Sequence, residues 1–80
     1  MGIDIKYGRV TTEFGDIPDD EPVVVFRAQD ENLLGLLSAY LFMCSENDSP
    51  RSHLDKILDA RDVVLDWQVH NSHRTKVPDS

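Results

Sequence analysis

Three cations and one aromatic ring lie in or beside the strands predicted for the first third of the chain: Lys6, Tyr7, Arg9 and Arg27. The chain contains 8 Lys and Arg residues against 15 Asp and Glu residues. This group therefore contains three of the few positive charges of an acidic chain. Arginine binds phosphate through two parallel N–H donors, and aromatic rings stack on nucleobases. The group therefore predicts a binding site for a small phosphate-bearing molecule of the nucleotide kind.

Ordinary ion pairing is the alternative interpretation of the two arginines. Glu13 closely follows Arg9, while Asp30 and the acidic loop at residues 16–21 lie on either side of Arg27. Ion pairs of this kind would give the arginines a purely structural role.

A second candidate surface consists of four aspartates in the second predicted helix: Asp55, Asp59, Asp62 and Asp66. Their spacing of i, i+4, i+7 and i+11 places all four on one face of a helix. Such a face favours a basic protein partner. The alternative is a solvated surface opposite the core, which is ordinary in amphipathic helices.

Few side chains in the sequence are suited to metal binding or nucleophilic catalysis. Cys44 is the only cysteine, and His70 and His73 form a closely spaced pair near a predicted helix end. A structural zinc site usually needs about four Cys or His ligands. The sequence contains no known catalytic motif and no phosphate-binding glycine loop. We therefore expect no metal, no cofactor and no catalytic residues, and a protein that works by binding.

The formal net charge of −7 opposes binding to duplex nucleic acid and to anionic membranes. The longest strongly apolar run, residues 33–44, has about half the length that a membrane span requires. Residues 1–6 lack the basic segment and apolar run of a signal peptide. A single cysteine suits a reducing compartment. These features predict a cytoplasmic protein without a membrane or duplex nucleic-acid partner.

Hydrophobic alternation predicts two strands in the first third of the chain. Residues 3–14, ending at Phe14, alternate in polarity and change parity at Gly8, which predicts a β-bulge there. Prolines and acids predict a loop from residue 15 to residue 22. The β-branched and aromatic run 22–26 predicts a second strand that is buried on both faces or nearly so.

Two helices are predicted for most of the remaining chain. Asp30 is a candidate N-cap for a helix over residues 31–45. Ser49 and Pro50 form a helix start signal, with the serine hydroxyl as the cap of a helix over residues 50–70. The polar residues 71–80 are predicted to be a disordered tail.

The order of these elements predicts an α+β fold, in which an N-terminal β-hairpin is followed by an antiparallel helical hairpin (ββαα). Residues 1–70 are expected to form one domain. Two-stranded sheets are marginal alone, and a core of this size contributes only roughly a few kcal/mol. The fold therefore needs further stabilisation, which a single cysteine cannot provide through a disulfide within the chain.

Self-association is the expected source of that stabilisation. The first predicted helix is apolar almost all the way round, so side chains such as Leu34, Phe42 and Met43 exceed what one domain can cover. Trp67 adds apolar surface to the second predicted helix. We expect these four residues to form the interface of a dimer or a higher symmetric oligomer.

Two stretches of the sequence resemble a known group of proteins. They are Lys6-Tyr7-Gly8-Arg9-Val10-Thr11-Thr12-Glu13 and the run IPDDEPVVVFRAQD at residues 17–30. Both resemble the opening of small uncharacterised proteins encoded by bacteriophages and prophages, particularly those of actinobacteria. The resemblance implies a phage-type accessory protein that acts in a bacterial cytoplasm, where short proteins often antagonise host functions.

These observations lead to two alternative predictions of function. In the first, a non-catalytic, self-associating protein sequesters a nucleotide-like signal of host defence through Lys6, Tyr7, Arg9 and Arg27. In the second, the four-aspartate helix face or the acidic loop binds and inhibits a basic host protein.

Overall fold

The computed structural model describes residues 2–13 and 15–78. Its elements are two short strands, two α-helices and a final 3-10 helix: β1 (Gly2–Asp4), β2 (Gly8–Val10), α1 (Leu33–Glu46), α2 (Arg51–His70) and η1 (Ser72–Arg74). This mixture of strands and helices confirms the α+β class. Phe14 and the last two residues of the predicted tail lie outside the described residues.

Apart from Gly2, the two strands lie within residues 3–14, the stretch predicted to be a single strand. β1 pairs antiparallel with β2, with Gly2 opposite Val10 and Asp4 opposite Gly8. The chain reverses at residues 5–7, and Gly8 follows this turn with a φ of 79°. Glycine adopts positive φ readily because it has no Cβ. The prediction of one strand over residues 3–14 with a bulge at Gly8 is therefore wrong, since the glycine completes a turn.

Residues 22–26 do not form the predicted second strand. Val23 and Val25 are half-buried while Val24 and Phe26 are exposed, so only one side of this extended segment is covered. Pro22 has no backbone N–H, so it cannot donate a hydrogen bond to a neighbouring strand. The N–H of Val25 donates to the Asp4 carboxylate at 2.6 Å, so a side chain takes the place of a strand carbonyl.

The first helix begins two residues later than predicted. The Asp30 carboxylate accepts the backbone N–H of Asn32 at 2.8 Å, and the Asp30 carbonyl accepts that of Leu33 at 3.1 Å. Residues 30–32 thus form a turn ahead of α1, and Asn32 is the residue at the cap position. Asp30 therefore ends the preceding segment and is not the predicted helix cap.

The second helix runs almost over the predicted range, but its start is built differently. Ser49 was expected to cap it through its hydroxyl, which instead donates to Asn47 Oδ1 at 2.6 Å. Pro50 occupies the cap position without a side-chain hydrogen bond. Its backbone carbonyl accepts the N–H groups of His53 and Leu54 and begins the helical pattern.

The helices pack antiparallel, as their side-chain contacts demonstrate. Arg61 Nε donates to Ser38 Oγ at 2.9 Å, and Tyr40 Oη lies 3.3 Å from His53 Nε2. The buried apolar side chains among the described residues are Leu33, Cys44 and Ile57. Several large apolar side chains of the two helices stay exposed, among them Leu36, Tyr40, Leu58 and Leu65. Among the described residues, α1 and α2 are the two α-helices and pack against each other, while large apolar side chains on both remain exposed.

The C-terminal segment returns to the start of α1. The backbone N–H of Lys76 donates to the Gln29 carbonyl at 2.8 Å, and the Lys76 carbonyl accepts the N–H of Glu31 at 3.0 Å. These bonds form a parallel bridge between Asp30 and Lys76. Residues 71–78 therefore differ from the disordered tail predicted for residues 71–80, because backbone pairing holds part of this segment against the chain.

Candidate functional site

A cleft of about 340 Å³ lies between three parts of the chain that are distant in sequence. Asp4 and the turn at residues 5–7 form one side and residues 22–27 form another. Gln29, Asp30, Lys76 and Pro78 complete the lining. We call this cavity the main cleft. It depends on the pairing of the C-terminal segment with residues 29–31.

The buried Asp4 carboxylate joins two sides of the main cleft. Its Oδ1 accepts the backbone N–H groups of Lys6 at 2.7 Å and Tyr7 at 2.8 Å. Its Oδ2 accepts the backbone N–H of Val25 at 2.6 Å. One side chain therefore fixes the turn and also ties it to the segment that forms the opposite side.

These hydrogen bonds lower the pKa of Asp4 from its ordinary value of 3.8. The largest cause is the hydrogen bond from the Tyr7 backbone, and the bonds from Val25 and Lys6 act in the same direction. Burial opposes them, because removing a carboxylate from water disfavours its charged form. The positive charge of Lys6 adds a smaller lowering. Asp4 is thus held as a carboxylate at neutral pH.

The main cleft combines an apolar wall with cations. Val24 is 73% exposed and Phe26 is 50% exposed, and both line the cavity. Lys6, Arg27 and Lys76 also belong to its lining, together with Asp30 and with Asp4, whose carboxylate accepts three backbone N–H groups. Apolar walls with a few charged groups are typical of small-ligand sites. This arrangement suits a ligand with a flat apolar part and an anionic group.

The structure brings together three of the four residues predicted to bind a ligand. Lys6, Tyr7 and Arg27 line the main cleft, and the Lys6 ammonium lies 5.8 Å from the centre of the Tyr7 ring. Arg9 is exposed on β2 and is not among the cleft residues.

The alternative of local ion pairing for the two arginines is not seen. Within the described part of the chain, neither Arg9 nor Arg27 forms an ion pair or a side-chain hydrogen bond. The predicted partners are Glu13, Asp30 and the acidic loop at residues 16–21. None of them forms an ion pair with either guanidinium group within the described residues. Arg27 therefore keeps its donors available at the edge of the cleft.

A second cleft, of about 270 Å³, lies beside the first. Its lining residues are Arg27, Ala28, Gln29, Trp67 and Arg74. The guanidinium carbon of Arg74 lies 5.0 Å from the centre of the Trp67 ring. Arg27 and Gln29 belong to both cavities, so the two clefts meet at these residues.

The residues predicted to form an oligomer interface are not equivalent in the single chain. Phe42 is 65% exposed and Met43 is 61% exposed, whereas Leu34 is half-buried. Trp67 is also half-buried and lies against Arg74, so only part of its surface is available for an interface with a second copy of the chain. The exposed apolar part of α1 therefore centres on Phe42 and Met43.

The four aspartates of α2 are all exposed, as expected for one outer face. Asp55 accepts from Arg51 in an ion pair of 3.1 Å, and Asp66 lies 3.5 Å from His70 Nδ1. Asp59 and Asp62 have no charge partner among the described residues. The ion pair with Arg51 thus offsets the charge of Asp55, and the centre of the face at Asp59 and Asp62 stays negative.

Sequence reasoning missed three residues of this region. The sequence does contain an indication for Asp4, which lies between two isoleucines. A carboxylate in a buried strand needs hydrogen-bond donors, so its position indicates a structural role. Lys76 and Arg74 carry no such signal. Both lie in a polar stretch whose placement depends on backbone pairing with residues 29–31 and on contact with α2.

Comparisons with protein family models, curated proteins and solved structures give no match. None of the helices described is both long and apolar enough to cross a membrane. Across residues 2–13 and 15–78, no three His, Cys, Asp or Glu side chains are grouped so that they could hold a metal ion. The cleft geometry is therefore the basis for a functional proposal.

Proposed function

We propose that this protein is a non-catalytic binding protein that captures a small, phosphate-bearing, nucleotide-like molecule in the main cleft. The observation that carries the proposal is Arg27, whose guanidinium has no charge partner in the described chain and lines a largely apolar cavity. Guanidinium groups form strong, bidentate hydrogen bonds with phosphate. Exposed Phe26 beside it offers a face on which a base stacks.

The biological setting of the proposal comes from the sequence resemblance to phage proteins. A phage-type accessory protein in a bacterial cytoplasm would antagonise host defence by sequestering a nucleotide signal. Self-association belongs to this proposal. The exposed Phe42 and Met43 supply an apolar surface for a second copy of the chain.

Calorimetry with adenosine monophosphate tests the proposed ligand class. We expect saturable binding to the wild-type protein. Arg27→Gln should weaken it about tenfold or more, because a charge-assisted hydrogen bond contributes roughly 1.5–3 kcal/mol. Phe26→Ala should cost a similar factor, since base stacking contributes about 1–3 kcal/mol.

Arg51→Gln is the matched control for these variants. Arg51 is exposed, pairs with Asp55 on α2 and lines neither cleft, so the same change of charge should leave binding unaltered. Equal losses in Arg27→Gln and Arg51→Gln would indicate nonspecific charge attraction. Nucleotide recovered chemically altered after incubation would contradict a purely binding role.

A second candidate function uses the acidic face of α2. The unpaired Asp59 and Asp62 favour it, because their charge is not neutralised within the described chain. In this function, the face would bind a basic protein, and exposed charges would make binding weaken with salt.

A lysine-rich peptide labelled with a fluorophore provides the probe for this second function. The double variant Asp59→Asn/Asp62→Asn is expected to weaken peptide binding several-fold at low salt. Asp16→Asn/Asp20→Asn removes the same charge from the acidic loop and is the control. Equal weakening by both pairs would mean that net charge, and not the helix face, attracts the peptide.

A further inference from the structure

The second cleft has an unusual charge for this protein. Two arginines line it, and no carboxylate side chain belongs to its lining among the described residues, although the net charge of the chain is −7. Arginine side chains repel each other unless an anion lies between them. A cavity with two guanidinium groups is therefore suited to a phosphate-type oxyanion.

The Arg74 side chain is held in place before any ligand arrives. Its guanidinium lies 5.0 Å from the Trp67 ring centre, and Nη1 donates to Asn71 Oδ1 at 3.3 Å. A guanidinium has five N–H donors, so this single hydrogen bond leaves most of them for a ligand. The contact with the indole ring restricts the side chain and reduces the entropy lost on binding.

The two sides of the second cleft are connected by hydrogen bonds. Gln68 Nε2 donates to the Ala28 carbonyl at 2.9 Å and to the Asp30 carbonyl at 3.1 Å. Gln68 follows Trp67 on α2, and Ala28 follows Arg27. These bonds therefore fix the segment that carries Arg27 relative to the helix against which Arg74 lies.

We infer that the second cleft is an anion subsite that takes a second phosphate group of the ligand, with Arg27 and Arg74 as donors. This inference rests on the proposed function, because it extends the ligand of the main cleft past Arg27. Arg27 lines both cavities and lies at their junction. The ligand class is thereby narrowed to nucleotides with two phosphate groups on separate positions of the molecule.

Calorimetry at constant ionic strength tests the subsite with adenosine 3′,5′-bisphosphate and adenosine monophosphate. The wild-type protein is expected to bind the bisphosphate about tenfold more tightly or better. Arg74→Gln should remove this gain and leave the affinity for the monophosphate unchanged. Arg51→Gln, which alters an arginine outside both clefts, should change neither affinity.

Fluorescence gives an independent measurement, because Trp67 is the only tryptophan. Titration with the bisphosphate should change the fluorescence emission of Trp67 in a saturable way. Arg74→Gln should abolish this change. Arg74→Lys keeps the positive charge and should recover part of the lost affinity. No recovery in Arg74→Lys with wild-type circular dichroism would contradict an anion subsite.

The outcomes separate this inference from the function on which it rests. Equal affinities of the wild-type protein for the two nucleotides, with no effect of Arg74→Gln, would overturn the subsite and leave the main cleft as the binding site. Failure of both nucleotides to bind folded wild-type protein would overturn the proposed function and the subsite together.

Discussion

Wild-type protein at micromolar concentration is expected to scatter light as a dimer or larger symmetric oligomer, and the variant Phe42→Glu as a single chain of 9.1 kDa. Phe42 is 65% exposed in the single chain, so a charge there costs the isolated fold little. In an interface the new carboxylate would lose its hydration without gaining a partner. The variant therefore separates assembly from folding.

The expected size of this effect follows from burial of the aromatic ring. Covering one phenylalanine contributes about 1.5–3 kcal/mol, and a two-fold dimer contains the substitution twice. Dimer affinity should thus fall about a hundredfold or more. Val77→Glu is the control, because Val77 is 66% exposed and lies outside the predicted interface. A single-chain mass for folded wild-type protein would rule out the predicted association.

Asp4→Asn is expected to lower the melting temperature more than any other single Asp→Asn change in the described chain. The two carboxylate oxygens accept three backbone N–H groups, two at Oδ1 and one at Oδ2. Asparagine has one acceptor oxygen, so its NH₂ group would face an N–H donor on one side. Either the turn at residues 5–7 or the link to Val25 would be lost.

Thermal melts and nucleotide binding together test this role of Asp4. Because the substitution separates two sides of the main cleft, binding of adenosine monophosphate should weaken along with stability. Asp20→Asn changes the same charge at an exposed position in the loop before the cleft and should leave both properties near wild type. Wild-type stability in Asp4→Asn would mean that the carboxylate does not hold the turn.

Asp4 also determines an expected dependence of stability on acid. Its pKa in the folded protein lies below the ordinary value of 3.8, so the carboxylate stabilises the fold fully above that value. The stabilisation should disappear as the pH falls below 3.8 and through the lowered pKa. The difference in melting temperature between wild type and Asp4→Asn should therefore be largest near neutral pH and shrink in acid. A difference that is constant with pH would contradict this assignment.

Local patterns predicted the helices better than the strands. The start signal at Ser49 and Pro50 predicts α2 to within one residue of its observed start, because the beginning of an α-helix depends on contacts within one segment. The alternation around Gly8 predicts a bulge. It belongs to a turn whose position depends on Asp4 accepting N–H groups from Lys6, Tyr7 and the distant Val25.

The candidate site was partly predictable from composition. Lys6 and Arg27 are among the few cations of an acidic chain, Tyr7 is the aromatic ring beside them in sequence, and all three line the main cleft. Arg9 has the same charge and a similar place in the sequence, but it does not line the cleft. A count of charges cannot determine which side of a hairpin a residue occupies once the turn is misplaced.

The sequence by itself determined the α+β class, the two helices and the excess of apolar side chains on α1, because each depends on local periodicity and composition. Only the tertiary structure decided that Asp4 organises the cleft, and that Lys76 and Arg74 return to line the two cavities. These arrangements depend on hydrogen bonds between segments far apart in the chain. Such pairings are selected by the geometry of the whole fold, which local sequence patterns do not contain.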